Sequence, residues 1–523
     1  MAEKKKLVPL EVVTGEGSAN DHGTGQLQTS VNIAKICIGT GALALPRAAE
    51  RGGLVVATIG LAGMGLWNQW ACERLDQLRE RHQVDTYATL VNTVFGPWAR
   101  MVVDACTIST LVGVCIVYQI TFATLLGATP LALHVPWAVE NAPPSTAWRE
   151  TLLAGVIVLP LACLPDLSFL AKWSALGLAA LAGGFVTMFA FGISSYDGGH
   201  CDVPVPMVPS SLGSFSQYFG VAAFCFGIPP LQFSIQASMS APSRFTSALR
   251  GALVLVWATY VVCGVGIAYI YRCDDEGIKG NILQNLPLTS GSAVVVRVAY
   301  ALVCATSYPL TLVPVAGMIK PVLAIIFGSN ARRTHTPLAD AESGESSGAP
   351  VVSGGGGEGS ARERCAAHDP TRDLTHVTPP SHSHQPIILS EPQSNPVHAY
   401  RARVCQRRSP SSTVVHRRRP SSMHPFRFRV VLRSALVLLT TITALCIPQF
   451  DFIVSIVGSF SVSILSFVLP SAMHLRMVAT DSTGSAGMPA LSSSTLVDYV
   501  LLAGGIGTCV VTTTLTILNH KSA

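Results

Sequence analysis

Hydrophobic positions in this chain run in long continuous stretches, without the strict alternation of a half-buried strand. Stretches about 20 residues long recur along most of the sequence, and about 20 residues of helix cross a bilayer. Eleven can be counted, at roughly 29–49, 54–73, 100–128, 150–165, 168–192, 215–238, 246–271, 293–318, 430–448, 450–474 and 495–518. The fourth is short, and the ninth and tenth almost meet at Pro448-Gln449-Phe450. A transmembrane β-barrel would show segments of about 10 alternating residues. The pattern therefore predicts an all-α membrane protein with eleven transmembrane helices.

The polar stretches between these runs divide the chain. Residues 1–28 form a polar tail, 29–328 hold helices 1–8, and 329–425 form a long loop before helices 9–11 in 426–523. The loop contains Gly354–Gly357, many Ser and Pro, and eight of the fourteen His. Such a composition cannot bury enough apolar surface to offset the entropy of ordering, so disorder is expected. Arg417-Arg418-Arg419-Pro420-Ser421-Ser422 reads either as a basophilic kinase target or as a solvated basic stretch near anionic lipid.

Composition agrees with this division. Charged residues make up 12% of the 523, against about 25% in soluble globular domains. The net charge of +6 does not point to nucleic acid, since 16 of the 35 Lys and Arg lie between Lys320 and Arg433. With the N-terminus in the cytosol, 27 basic residues fall inside and 7 outside, and leaving out the long loop the ratio is still 11 to 7. The start, Met1-Ala2-Glu3-Lys4-Lys5-Lys6, is followed by a polar tail, so a cleaved signal peptide is not expected. No CxxC, HExxH or Walker motif is present, so neither an enzyme nor a bound metal or cofactor is implied.

Two spans carry helix breakers. The first holds Gly39-Thr40-Gly41-Ala42-Leu43-Ala44-Leu45-Pro46, and the sixth holds Phe224-Cys225-Phe226-Gly227-Ile228-Pro229-Pro230. Consecutive prolines remove amide donors and disfavour helix at the residue before them, while glycine lets backbone unwind. In a membrane, backbone groups so released survive only where protein buries them or where they line a cavity. One break alone reads equally as a kink. Two breaks, opening spans 1–5 and 6–10, match the inverted repeats of secondary transporters. Half-helix N-termini offer amides to a carboxylate, and half-helix C-termini offer carbonyls to a cation, a combination suited to a zwitterion.

The string Lys35-x-x-Ile38-Gly39-Thr40-Gly41-x-Leu43-x-Leu45-Pro46 resembles the first helix of the amino acid/auxin permease family, most closely its proton-coupled amino acid transporter branch. Ser238-Met239-Ser240-Ala241-Pro242, Asn285-Leu286-Pro287, Tyr308-Pro309-Leu310 with Pro314, Ile447-Pro448-x-Phe450, Gly458-Ser459 and Leu469-Pro470 resemble later blocks of that family. The matches run in order through 29–325 and 430–475. The resemblance implies a LeuT-like 5+5 inverted repeat whose helices 1 and 6 are unwound around an amino acid. It further implies that the carboxylate meets the amides of Gly39, Thr40 and Gly41, and the amino group meets carbonyls near Ile38, Phe224 and Gly227. Tyr118 resembles the aromatic that closes the site, or is a core tyrosine; Phe226 either walls the side-chain pocket or packs.

Coupling stays open at this level. Lys35 lies one turn before Gly39 and shares its face. It either snorkels or pairs; near the site it would repel sodium and can instead exchange a proton. The proton-coupled branch carries His where this chain has Asn32. Asn32 with Thr306, Ser307 and Thr311 offers oxygens for sodium, or these residues bond neighbouring helices. The balance favours a proton. Acids are scarce in the core spans, with Asp104 and Asp451 near their ends, which favours a neutral amino acid as substrate.

The topology places only Cys201 and Cys273 in outer loops, where oxidation is possible, and the resemblance implies that they are joined. The expected function is a secondary active transporter of small neutral amino acids, proton-coupled, in the plasma membrane or a lysosome- or vacuole-like organelle. The rivals are a sodium-coupled symporter and a membrane amino acid sensor that uses the same site. The expected partners are the amino acid, the co-transported ion and the lipid bilayer.

Overall fold

The computed structural model describes residues 24–128, 147–164, 167, 170, 177–195, 203–274, 277–288, 290–333, 425–482 and 493–522. Among these residues the structure is helical, and no strand is present beyond one isolated bridge between Thr24 and Met239. Most of the long loop anticipated at 329–425 lies outside the described residues.

The first span is interrupted as its glycines suggest. Helix α1 (Gln26–Cys37) stops at Ile38, whose ψ of 68° leaves the helical region, and Gly39 is extended. A 3-10 turn (Thr40–Leu43) leads into α2 (Leu45–Gly52), where Pro46 sits in the first turn, the position in which a missing amide costs no hydrogen bond. Helix α3 (Leu54–His82) is longer than the span read from hydropathy, because charged residues from Glu73 onward continue it. An unanticipated helix α4 (Tyr87–Phe95), capped by Thr86, precedes α5 (Pro97–Gly127), α6 (Ala147–Cys163) and α7 (Gly177–Ser195).

The sixth span breaks after α8 (Leu212–Cys225). A short turn at Pro229–Leu231 precedes α9 (Gln232–Ala237). Helix α10 (Phe245–Tyr260) widens into a π turn at Val261–Gly266 before α11 (Ile267–Ile270). Helix α12 (Gly291–Arg333) runs past its predicted end, and α13 (Pro425–Cys446) follows. Helix α14 (Phe450–Val457) passes through two π turns, Gly458–Val462 and Ile464–Val468, into α15 (Leu469–Ser482); α16 (Ser493–Ser522) ends the described chain.

Eight segments among the described residues are long and apolar enough to cross a membrane, against the eleven expected. The difference has physical causes. The first span is split in two, α3 turns polar from Asn68 onward, and α6 has 17 residues.

Packing sorts the helices into two groups. Helix α1 lies on α10, α2 lies on α8 and the π turn after α10, and α3 lies on α10. Helices α5, α6, α12 and α13 pack on one another, with α5 against α12 the most extensive pair. Polar side chains stitch this second group: Gln119 donates to Thr441 Oγ1 at 2.6 Å, and the Tyr308 and Thr440 hydroxyls lie 2.6 Å apart. Arg297, fully buried at the start of α12, donates to the carbonyls of Leu286 and Pro287, which gives the Asn285-Leu286-Pro287 string a structural role.

Helices α8 and α14 approach to backbone contact. A Cβ on Gly458 would strike the Gly220 carbonyl and lie 2.8 Å from the Phe224 amide, and one on Gly220 would strike the Ser455 carbonyl. Absence of side chains is what lets two helices approach this closely. Gly458→Ala should therefore lower the unfolding temperature in detergent, reflecting a loss of about 1–3 kcal/mol from overpacking. Gly507→Ala, whose Cβ would meet nothing within 4 Å, should leave it unchanged. Equal melting of the two variants would refute the close approach.

Candidate functional site

The two breaks lie against each other. A Cβ on Gly41 would come within 2.8 Å of the Phe224 ring and 3.0 Å of Cys225 Sγ, so glycine here allows the breaks to touch. Neither break carries a charged side chain: the segments read Cys37-Ile38-Gly39-Thr40-Gly41-Ala42-Leu43 and Phe224-Cys225-Phe226-Gly227-Ile228-Pro229-Pro230. Within the breaks themselves, charge on a ligand can be met only by backbone dipoles.

Each break releases backbone groups, and most have identifiable partners. The Gly39 amide donates to the Cys37 carbonyl at 2.8 Å, so it is already engaged, in contrast to its expected role as a carboxylate donor. Ala42 N donates to Gly39 O and Ala44 N to Gly41 O, both at 3.1 Å. The first amides of the 3-10 turn, those of Thr40 and Gly41, are the ones that helix geometry leaves without an acceptor inside the turn. Of the last four carbonyls of α8, Ala223's accepts from Phe226 N at 3.2 Å and Cys225's accepts from a side chain.

That side chain is Tyr260, at the end of α10. Its buried hydroxyl lies 2.6 Å from the Cys37 carbonyl and 3.1 Å from the Cys225 carbonyl. One O–H is thus shared between the last carbonyls of both broken helices. The Phe226 ring meets the Tyr260 ring edge-on, with centroids 5.4 Å apart and planes at 89°. Phe226, one of the two readings of which made it a pocket wall, is fully buried in this contact. Sequence reasoning missed Tyr260, since a single tyrosine in an apolar helix carries no pattern.

The remaining candidates are placed as follows. Ile38, Gly39 and Gly227 are half-buried, Thr40 and Gly41 are buried, and Phe224 is half-buried beside Gly41. Tyr118 on α5 is within hydrogen-bonding reach of Ser307 on α12, which brings the proposed closing aromatic to one of the ion-site candidates. Thr306 and Thr311 direct their hydroxyls to carbonyls of their own helix, at 2.9 Å from Leu302 O and 3.1 Å from Ser307 O. Asn32 and Lys35 lie on α1, half-buried, and α1 shares no extensive interface with α12. Lys35 sits in the last turn of α1, where a cation complements the helix dipole. Cys273 takes part in a disulfide, and Cys201 lies outside the described residues.

Both ends of the helix group that carries the breaks are tied. At one end Arg47 and Arg51 of α2 share Asp451 of α14, at 3.4 and 3.2 Å. Arg47 also donates to the Ile278 carbonyl and Arg51 to the Gln217 side chain. At the other end Thr24 pairs with the segment after α9: its amide donates to Ser238 O at 2.9 Å, and Ser240 N donates to Thr24 O at 3.1 Å. Gln236 of α9 links Asp76 and Arg79 of α3, and Arg250 pairs with Glu73.

The family model for transmembrane amino acid transporter proteins matches residues 22–518. The chain belongs to this family. Among relatives of the transmembrane amino acid transporter family, vacuolar amino acid transporter 3 of Saccharomyces cerevisiae is 23% identical over 330 residues, covering 62% of this chain and 46% of the relative. Vacuolar amino acid transporter 4 of the same yeast is 27% identical over 291 residues, covering 55% and 39%. Amino acid transporter AVT1B of Arabidopsis thaliana is 25% identical over 320 residues, covering 60% and 56%. The matched region thus spans less than half the length of the yeast relatives. Among solved structures, MhsT in complex with L-phenylalanine superposes with a TM-score of 0.50 at 9% identity, covering 95% of this chain and 99% of that one. That likeness is one of fold, of the LeuT type.

Tyr260→Phe should leave the Cys225 carbonyl without this donor and weaken the hold on Cys37. The expected result is a lower unfolding temperature, corresponding to about 1–3 kcal/mol for an unmet buried acceptor. Tyr499→Phe, at an exposed ring, serves as the control. Unchanged melting of the Tyr260 variant would show that the shared hydroxyl holds nothing together.

Proposed function

We propose that the protein is a secondary active transporter that moves small neutral amino acids by alternating access around the breaks in helices 1 and 6. The observation that carries this reading is the contact of two uncharged, unwound segments whose free backbone groups are of opposite kinds. Thr40 and Gly41 present amides to a carboxylate, while carbonyls near Ile38, Phe224 and Gly227 face an amino group. Uncharged walls suit a neutral side chain, and Asp451, at one end of this helix group, is engaged by two arginines. Tyr118, with Ser307, closes the site from the other helix group.

The chain crosses the membrane eleven times in this reading, as a 5+5 inverted repeat with its N-terminus in the cytosol. The names of its vacuolar relatives support an organelle of that type. The coupled ion is a proton. Helix α1 does not pack extensively on α12, so Asn32 is not drawn together with Thr306, Ser307 and Thr311 into a ready sodium cage. Lys35, beside the first break, disfavours a second cation there.

Uptake of a panel of labelled neutral amino acids into proteoliposomes, with an imposed pH or sodium gradient, tests this directly. A pH gradient should drive accumulation and a sodium gradient should not. Accumulation with neither gradient for any amino acid would sink coupled transport, and sodium-driven uptake would replace the proton. We further propose that Cys273 pairs with Cys201. Both thiols should then resist alkylation until the intact protein is reduced, and labelling of Cys201 before reduction would exclude the pair.

A further inference from the structure

A buried cluster of ionisable groups lies away from the two breaks, where α3, α15 and α16 meet. Asp498 of α16 is fully buried. Its Oδ1 accepts from the Trp70 indole at 2.8 Å and from Arg74 Nε at 3.2 Å, and its Oδ2 lies 2.7 Å from His474 Nδ1. His474 is 5% exposed and Arg74 7%. The Arg74 guanidinium also lies over the Trp70 ring, 4.3 Å from its centroid. Ionisable residues inside a membrane are costly, and they persist where they serve ion or proton pathways.

The geometry sets the protonation chemistry. An indole and a guanidinium only donate, and the ion pair with Arg74 keeps the Asp498 carboxylate ionised, so that it only accepts. The nitrogen 2.7 Å away must therefore carry a hydrogen, Nδ1–H, whether His474 is neutral or charged. In the neutral ring Nε2 keeps its lone pair and is the atom that takes a proton. With His474 neutral, Arg74 and Asp498 balance; with His474 protonated, the cluster carries one net positive charge. Imidazolium and guanidinium then compete for one carboxylate, and Arg74 has other partners in Gln77 Oε1 at 3.1 Å and Ser494 O at 3.5 Å.

The other charged groups around His474 are turned elsewhere. On α3, Glu73 is paired with Arg250 and Asp76 with Gln236, while Arg79 reaches Gln236 and the Phe233 ring. On α4 the Tyr87 hydroxyl donates to Leu465 O; on α15 itself Arg476 lies over the Phe95 ring; on α16 Tyr499 is exposed. Arg74 and Asp498 are thus the charged groups that face the imidazole among the described residues.

We propose that His474, held by Asp498, is a proton-binding site that acts on transport through α3. The route is short. Arg74 lies on the same stretch of α3 as Glu73, Asp76 and Arg79, which hold α9 and α10. A proton that shifts Arg74 off Asp498 therefore acts on the helix that ties the end of the second break. The proposal deepens the proton-coupled reading and rests on it for its effect on uptake, though the proton site itself does not.

The test uses the full chain, labelled with ¹⁵N-histidine in lipid nanodiscs and followed by solid-state NMR. The signal of His474 is the one missing from both His474→Gln and His474→Asn, so that one folded variant suffices. In the wild type this signal should change from neutral to charged imidazole as the pH is lowered. Asp498→Asn should move that change to lower pH, because the stabilising charge is gone. A signal that stays neutral throughout, or a midpoint indifferent to Asp498→Asn, overturns the site. In proteoliposomes the His474 variants should lose one step of the pH profile of neutral amino acid uptake; an unaltered profile overturns the link to transport. A wild type that takes up no amino acid would fail the transport reading, while the NMR titration still decides the proton site.

Discussion

A helix broken inside a membrane must find partners for the backbone groups it releases, because no water is there to take them. In this protein one hydroxyl meets that demand for two helices at once. Tyr260 stands between the Cys37 and Cys225 carbonyls, and its single proton is shared between them. Since Cys37 ends α1 and Cys225 ends α8, the hydroxyl fixes the separation of the breaks and the direction in which the remaining groups face. The edge-on Phe226 ring holds the tyrosine from the side, and the π turn that follows Tyr260 packs on α2.

The surrounding packing keeps the breaks at that separation. Glycine faces backbone between α8 and α14, and glycine faces the Phe224 ring between the breaks themselves. At each such point a methyl group would have to displace main chain or an aromatic ring, which explains why the segments combine bulky and minimal residues so abruptly. The second helix group, around α5 and α12, is joined by hydroxyl and amide bonds between side chains. Through α5 it packs on α14, which in turn lies against α8 of the first group.

The sequence carried much of this architecture and less of its chemistry. Continuous apolar runs located nearly every helix, because bilayer length is a one-dimensional requirement. Gly39, Gly41, Gly227, Pro229 and Pro230 located both breaks, because they act on the backbone directly. The count of eleven spans was not legible with the same security, since the split first helix, the polar half of α3 and the short α6 each depart from a simple apolar run. Partnerships were harder still. Tyr260, the Arg47 and Arg51 pair on Asp451, and His474 with Asp498 join residues that lie tens to hundreds of positions apart, and no periodicity records such meetings. Asp498 was visible in principle as a carboxylate within an apolar span. The Gly39 amide, expected to face a ligand, is taken up by a local turn that only backbone geometry reveals.

Thr24 adds a mechanical consequence. By exchanging two main-chain hydrogen bonds with Ser238 and Ser240, it joins the start of α1 to the end of α9. Each of these half-helices ends or begins at a break, and the breaks are where the chain bends. The two halves therefore form one lever with two hinges, and neither can swing alone without first opening the junction at Thr24. A displacement begun at either hinge would reach the other through this junction.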